Sequence, residues 1–588
     1  MKRIFAMGIM ALAFNMAVAQ TNPQVEKILS GMTVREKVAQ LIVPAVDEHV
    51  RNTARRDLQR SYAKEGVGGM IVMDGDLAPF METMNEVQAM SKIPMMIAID
   101  GEWGVSMRFS EYPYFPKQMQ LGALKNPDMI YEMGRAVGKE MKMAHIGVNY
   151  APDVDINCNA QNPVINTRSF GEDREKVARY GMLYAKGMQD EGVSACAKHY
   201  PGHGDTSVDS HRALPVLNFS RSRLDSLELY PFRYLSENGV DMIMLAHLSV
   251  PALDPSGMPT SVSKPVIDML RNEIGFKGLI VTDALSMAGV KGYFENDGPR
   301  TCLAAYEAGV DVLLMPANVI GCIDLIQSKI ESGELPLEDL DNRVRKVLLQ
   351  KAAQGMLDPD YNRILDVPAL CAQVAQAPEK ELIARLSEQT IVRVKNSCGK
   401  VLRGKVAYLA LGAGQEKRIP TMDEDPNKPA EGQGDGPAAY GARRGVGASG
   451  AETLSETLGV DSYFLPRGFK LEDLKEICGK LQGYRTVVIG FHDTDTRPQK
   501  NYGIEDPEIY DYIGQWAENG KQRLVGVYCG SPYALDVMPW YKDFKQFYIA
   551  WADNVYNCSA VGRIIRGESK AQGVMPVSAG GLKCGTAK

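Results

Sequence analysis

The 588-residue chain is poor in histidine, with seven, and in tryptophan, with four. Its ten cysteines include no CxxC pair, which excludes the usual zinc and dithiol motifs and, at this length, a dense disulfide framework. Basic residues are not in excess: 66 Lys and Arg face 72 Asp and Glu, a net charge of −6. Without Lys2 and Arg3 the balance is 64 bases against 72 acids, or −8. No basic nucleic-acid footprint is present. No GxxxxGK[ST] loop occurs, and Gly412-Ala413-Gly414 lacks the third glycine of a dinucleotide fingerprint. Beyond the N-terminus no apolar run is long enough to span a bilayer, so no membrane span is expected. What remains is ordinary globular composition, 45% hydrophobic and 23% charged.

The first residues have a targeting pattern. Met1-Lys2-Arg3 is a short basic start, 4–16 are mostly apolar, and Ala17-Val18-Ala19 is an A-x-A cleavage signal. Residues 1–19 are therefore expected to be a signal peptide, and the mature protein to be exported, in the periplasm or the medium, and soluble.

Short apolar runs then recur at 38–45, 69–73, 95–100, 148–156, 194–200, 242–250, 278–283 and 310–315. Each has the length and near-continuous hydrophobicity of a buried parallel strand. Amphipathic stretches separate them, at 77–91, 127–146, 173–191, 221–238 and 264–274. Alternating strand and helix makes an α/β protein with a parallel sheet. Eight strands favour a (β/α)8 barrel, a TIM barrel, over 20–358, although an open doubly wound sheet has the same local pattern. A helical linker over 359–400 and a smaller α/β sandwich domain over 401–588 follow, with strands at 406–411, 486–490, 524–529 and 546–550. Between 431 and 450, seven of twenty residues are glycine. This segment is expected to be a solvated loop, with a lid over the barrel as the alternative.

Charged residues gather at the carboxyl ends of the barrel strands: Asp100, Asp153, Asp155, Lys198, His199, His247 and Asp283. Barrel enzymes build their sites on that rim. After the fifth strand comes Lys198-His199-Tyr200-Pro201-Gly202-His203-Gly204-Asp205-Thr206-Ser207-Val208-Asp209-Ser210-His211, which holds three of the seven histidines. It is too polar and glycine-rich for a regular element, and its turns would leave Lys198 and His199 free as donors to a ligand. Asp209 and His211, two apart, share one side of an extended segment. A carboxylate beside an imidazole fixes its tautomer and raises its pKa, as proton delivery near neutral pH requires. Zinc on His199, His203, His211 and Asp205 is the competing reading, but the spacing matches no helical metal motif. No metal and no cofactor are expected, and His203, between two glycines, is expected to be structural.

The run KHYPGHGDTSVDSH, followed by Arg212-Ala213-Leu214-Pro215, resembles the signature of family 3 glycoside hydrolases of the β-N-acetylglucosaminidase branch. Val281-Thr282-Asp283-Ala284-Leu285-Ser286-Met287 is similar to that branch's nucleophile segment, and 166–171 to its sugar-binding loop. Ile99-Asp100-Gly101-Glu102-Trp103-Gly104 resembles its third-strand segment, with Trp103 where many members have a second glycine. That difference would change the lining of the leaving-group side. The resemblance implies Asp283 as nucleophile, His211 as general acid/base and Asp209 as its orienting partner. It also implies that Asp100, Arg168, Lys198 and His199 hold the hydroxyls of a terminal sugar. The implied activity is retaining, exo-acting β-N-acetylglucosaminidase on a carbohydrate partner such as peptidoglycan fragments or chitooligosaccharides. A β-glucosidase or xylosidase of the same family and a non-catalytic sugar-binding barrel are the alternatives.

Overall fold

The computed structural model describes residues 22–46, 53–73, 75–208, 210, 213–376, 379–399, 401–413, 449–492, 494–503 and 506–588. The leader, Asp209, His211 and nearly all of the glycine-rich 431–450 segment lie outside them.

The barrel strands are β1 (Ile42–Val43), β2 (Ala45–Val46), β3 (Gly69–Val72), β4 (Met96–Ile99), β5 (Ile146–Asn149), β6 (Ser194–Tyr200), β7 (Met242–Leu245), β8 (Leu279–Thr282) and β9 (Leu313–Leu314). β2 to β8 pair in chain order, all in parallel. The circle closes through a parallel bridge from Val281 to Val312 and the pairing of β9 with β1. Pro44, which has no N–H, separates β1 from β2, and the two count as one strand of an eight-stranded barrel. The first strand starts later than expected. Val38 and Ala39 belong to the helix Val34–Ala39, which a Thr33–Glu36 capping box initiates. β5 starts earlier and ends at Asn149, after which a single bridge from Asp153 to Lys198 keeps the chain beside β6. Residues 150–156 are a buried connection.

β10 (Val392–Asn396), β11 (Val406–Leu411), β12 (Asp461–Leu465), β13 (Thr486–Phe491), β14 (Arg523–Tyr528) and β15 (Gln546–Ile549) make a second sheet, in the order β10-β15-β14-β13-β11-β12. Only the edge strand β10 is antiparallel. It falls inside the stretch expected to be helical linker, after the two helices there, Val367–Val374 and Lys380–Thr390. Alternate residues serve two apolar layers, as the pleat dictates. Leu409, Val487 and Ile489 pack with Leu474 and Ile513, while Tyr408, Val488 and Val525 pack with Leu454 and Val561. This is the α/β sandwich. No helix among the described residues is long and apolar enough to cross a membrane.

The two units share a core. Met119 and Ala123 of the barrel pack into the first of those layers. Beside them the buried Gln120 amide donates to Thr390 Oγ1 at 2.9 Å and to Asn557 Oδ1 at 2.8 Å. The C-terminal segment runs along the barrel rim, where Glu172 N donates to Pro576 O at 3.1 Å and Ser578 Oγ to Glu172 at 2.6 Å. Gln120→Leu removes these two hydrogen bonds and the one Asn557 Nδ2 donates back to Gln120 Oε1 at 3.3 Å, and leaves Asn557 buried without them. The expected loss is about 1–3 kcal/mol, read as a lower apparent Tm of the whole chain. An unchanged Tm would remove this contact from the tie between the units.

Candidate active site

The carboxyl rim of the barrel holds a buried polar cluster assembled from three strand ends. Asp100 follows β4, and the turn behind it is tied to β5, with Gly101 N donating to Asn149 Oδ1 at 2.9 Å and Asn149 Nδ2 to Gly101 O at 3.1 Å. This turn sends Glu102 inward, where only 1% of the residue is exposed. Arg168 Nη2 and Nε lie 2.7 and 3.0 Å from Glu102 Oε1, and Lys198 Nζ lies 2.9 Å from the same oxygen. Lys198 also donates to Asp100 Oδ1 at 2.8 Å, and Arg108 to Asp100 Oδ2 at 3.2 Å. Asp100 is the open member of the group, with a quarter of its side chain exposed.

Electrostatics follow from this packing. Burial works to raise the Glu102 carboxyl, but Arg168 and Lys198 outweigh it and hold it well below the ordinary range. Burial likewise works to lower Arg168 and Lys198, and their carboxylate neighbours push both above their ordinary values. Asp153 goes the other way. It is fully buried, and burial and then the charge of Asp155 raise it well above a normal aspartate, which favours its protonated form. Asp155 is held low by His199 and His203, against burial.

Lys198 and His199 are not free donors, as the loop composition suggested. The β6–β7 register shifts between Ala197 and Tyr200, and a bulge there re-aims the side chains toward the acids. His199 Nδ1 lies 2.7 Å from Asp155 Oδ2, and its Nε2 lies 3.3 Å from Arg168 Nη2. A guanidinium can only donate, so Nε2 accepts and Nδ1 carries the proton to Asp155. Trp103 does not line an open surface either. It is 3% exposed, packs against Tyr114 and lies beneath Lys117 Nζ, 4.7 Å from the ring centre.

Asp283 follows β8. Its N donates to Leu245 O at 2.9 Å, and its Oδ1 accepts from Ala284 N at 2.7 Å. His247, beyond β7, donates from Nε2 to Ala284 O at 2.9 Å while Ser261 Oγ meets Nδ1 at 2.7 Å. It therefore braces the turn that contains Asp283. The loop after β6 crosses the rim toward the same turn. Asp155 accepts from the backbone of His203 at 2.6 Å, and Gly204 passes so close to Ile156 O that a Cβ would lie 1.9 Å away. His203 bridges Thr206 Oγ1 on Nδ1 at 2.8 Å and Ser210 Oγ on Nε2 at 3.1 Å, the structural role expected of it. Ser210 O accepts from Gly289 N at 3.1 Å. The described neighbour of both Asp209 and His211 thus sits against the segment that follows Asp283.

Glu102 and Arg108 organise the cluster but were absent from the expected site, and Asp155, expected on the rim, had no role assigned to it. Glu102 stood inside the third-strand segment, three residues past the end of β4, and nothing in the local sequence marked it. The second domain also reaches the rim, through Asn166 Nδ2 donating to Thr496 O at 2.6 Å, two residues from Arg168. No sequence pattern pointed to that contact.

A parallel barrel with such a cluster on its carboxyl rim is built like an enzyme. The model of the "Glycosyl hydrolase family 3 N terminal domain" matches residues 33–349, and the chain belongs to glycosyl hydrolase family 3. Beta-hexosaminidase A of Pseudoalteromonas piscicida is 35% identical over 335 residues, 53% of this chain and 55% of that protein. Beta-hexosaminidase LpqI of Mycobacterium tuberculosis is 31% identical over 335 residues, 54% of this chain and 83% of that one. A Cellulomonas fimi protein named "Beta-N-acetylglucosaminidase/beta-glucosidase" is 28% identical, over 57% of this chain and 60% of its own. The chain thus spans 55% and 60% of the Pseudoalteromonas and Cellulomonas proteins. A solved family 3 beta-N-acetylglucosaminidase from Paenibacillus sp. str. FPU-7 superposes with a TM-score of 0.72 at 26% identity, over 93% of this chain and 99% of that one.

Burial pushes His203 down to about 4, below the roughly 6.5 of an unfolded histidine. Between those values the unfolded chain binds more protons, so stability from the neutral imidazole is complete above pH ~6.5 and lost as pH falls toward 4. His203→Gln keeps a donor and an acceptor without titrating. It should flatten the fall in Tm across that window relative to wild type. Parallel Tm profiles would exclude this role.

Proposed function

We propose that this chain is an exported, retaining, exo-acting β-N-acetylglucosaminidase that removes terminal N-acetylglucosamine from peptidoglycan fragments, chitooligosaccharides or related glycans. One observation supports this reading most: Ser210, the residue between Asp209 and His211 in the sequence, accepts from Gly289 N at 3.1 Å, six residues past Asp283. A retaining glycosidase needs a nucleophile on one face of the anomeric carbon and a proton donor at the leaving oxygen. Asp283 attacks the anomeric carbon and forms a glycosyl-enzyme while the bond to the leaving oxygen breaks. His211, oriented by Asp209, gives its proton to that oxygen. It then takes one from the water that releases the sugar and restores Asp283. Asp100 is partly exposed and lies between Lys198 and Arg108, so its carboxyl oxygens offer an acceptor for a sugar hydroxyl. Arg168, Lys198 and His199 complete that first subsite, partly through the acids they hold. The basic, apolar, A-x-A leader at 1–19 supports export. The names of the family 3 relatives support the sugar, and the Cellulomonas name keeps a glucosidase side activity in view.

The test compares aryl N-acetylglucosaminide with aryl glucoside and xyloside, for wild type, His211→Ala and Asp283→Ala. Wild type should prefer the N-acetylglucosaminide. His211→Ala should lose about 10²–10⁴-fold on substrates with poor leaving groups and much less on activated aryl glycosides. Asp283→Ala should no longer be labelled by a fluorosugar. Equal losses of His211→Ala on both leaving-group classes would remove its proton-transfer role, and labelling of Asp283→Ala would place the nucleophile elsewhere.

A further inference from the structure

The second domain contains a cluster that the glycosidase reading does not use. His492 directly follows β13, Cys529 directly follows β14, and Cys558 lies in the first turn of the helix Val555–Arg566. The three are 4%, 3% and 0% exposed. One donor atom from each lies within 4.8 Å of the other two. Their backbones are fixed by the fold: His492 N donates to Leu411 O at 2.9 Å, Cys529 N to Phe491 O at 3.0 Å and Cys558 N to Asn554 O at 3.0 Å.

The spacing has a chemical meaning. Cys529 Sγ and Cys558 Sγ are 3.9 Å apart. Two thiolates on a tetrahedral zinc, with Zn–S of about 2.3 Å, are separated by about 3.8 Å. Asp553 Oδ1 lies 2.9 Å from His492 Nδ1, so the carboxylate takes the Nδ1 proton and makes Nε2 the acceptor nitrogen, whose lone pair receives the Tyr408 hydroxyl and would turn to a cation in its place. That nitrogen meets Tyr408 OH at 2.5 Å, so a phenol oxygen stands beside the three donors. Two glycines preserve the space around them. A Cβ on Gly490 would lie 2.5 Å from His492 Nε2 and 2.8 Å from Tyr408 OH, and one on Gly450 would lie 2.8 Å from Cys558 Sγ.

We propose that His492, Cys529 and Cys558 form a structural site for a thiophilic closed-shell cation, zinc(II) or copper(I), with Asp553 orienting the imidazole and Tyr408 as the adjacent oxygen. Two sulfurs and one imidazole are a donor set that such cations prefer over calcium or magnesium. The site would clamp the ends of β13 and β14 to the helix that follows β15. It is separate from the barrel rim and independent of the glycosidase reading.

The experiment uses the full-length protein, stripped of metal and divided between zinc(II) and, under reducing anaerobic conditions, copper(I). After dialysis, elemental analysis should find one retained equivalent per chain with one of the two, which identifies the cation. Cobalt(II) loading should produce a thiolate charge-transfer band. Cys558→Ser and Cys529→Ser should lose both signals, while Cys158→Ser, at an exposed cysteine, keeps them. If the serine variants do not fold, Asp553→Asn retains all three donors and should bind about 10–100-fold more weakly. Wild type that retains no equivalent, serine variants that retain it undiminished, or a Cys529–Cys558 disulfide in the isolated protein would each overturn the proposal. None of these outcomes bears on hydrolysis at the barrel rim.

Discussion

The Glu102 carboxylate, enclosed between Arg168 and Lys198, is the constraint on which the barrel rim depends. Glu102, Arg168 and Lys198 are each at most 9% exposed and come from different strand ends. A buried ion costs several kcal/mol in desolvation unless its partner is close and its remaining valences are filled. Each of these side chains therefore fixes the other two, and the loops after β4, β5 and β6 cannot move separately. Asp100 inherits its position from this lock through Lys198, as His199 does through Arg168.

Charge parity explains why the cluster tolerates so many acids. Asp100, Glu102, Asp153 and Asp155 face Arg108, Arg168 and Lys198. Four carboxylates against three fixed cations would leave a net negative charge at low dielectric. Asp153 absorbs the excess, since burial and the charge of Asp155 favour its neutral form. Its backbone and Oδ1 are still employed, on Gln118 and Asp155 N respectively. The acid that looks most catalytic by burial is thus the one least able to act as an anion. The more exposed Asp100 and Asp283 remain to meet a ligand.

What was legible in the sequence follows from how each segment is buried. β6 keeps its expected limits, all seven residues being buried, although Lys198-His199-Tyr200 at its end also read as the start of a polar loop. The start of β1 did not, because Val38-Ala39 are as apolar as a strand and only the Thr33–Glu36 cap marks them as helix. β10 and β12 are edge strands: β10 alternates apolar and polar over only four residues right after a helix, and β12 is exposed or half-buried except at its end, so neither reads as a buried parallel strand. The positions of Lys198 and Asp283 at strand ends were legible from long motifs; Glu102 was not, since its importance lies in two partners that are distant in sequence. The same holds for His492, Cys529 and Cys558, which only the sheet topology brings together.

The second domain is more than an appendage, and the argument is again one of buried polar groups. Gln120, Thr390 and Asn557 are all buried and satisfy one another across the boundary between the units. Separating the units would strand those groups together with the apolar contacts of Met119 and Ala123. On the rim, Thr496 O accepts from Asn166, and Tyr533 OH donates to Asn157 O at 3.2 Å. These contacts hold both sides of the loop that presents Arg168. Since Arg168 in turn fixes Glu102, the packing of the sandwich domain sets how rigidly the barrel holds its charged cluster.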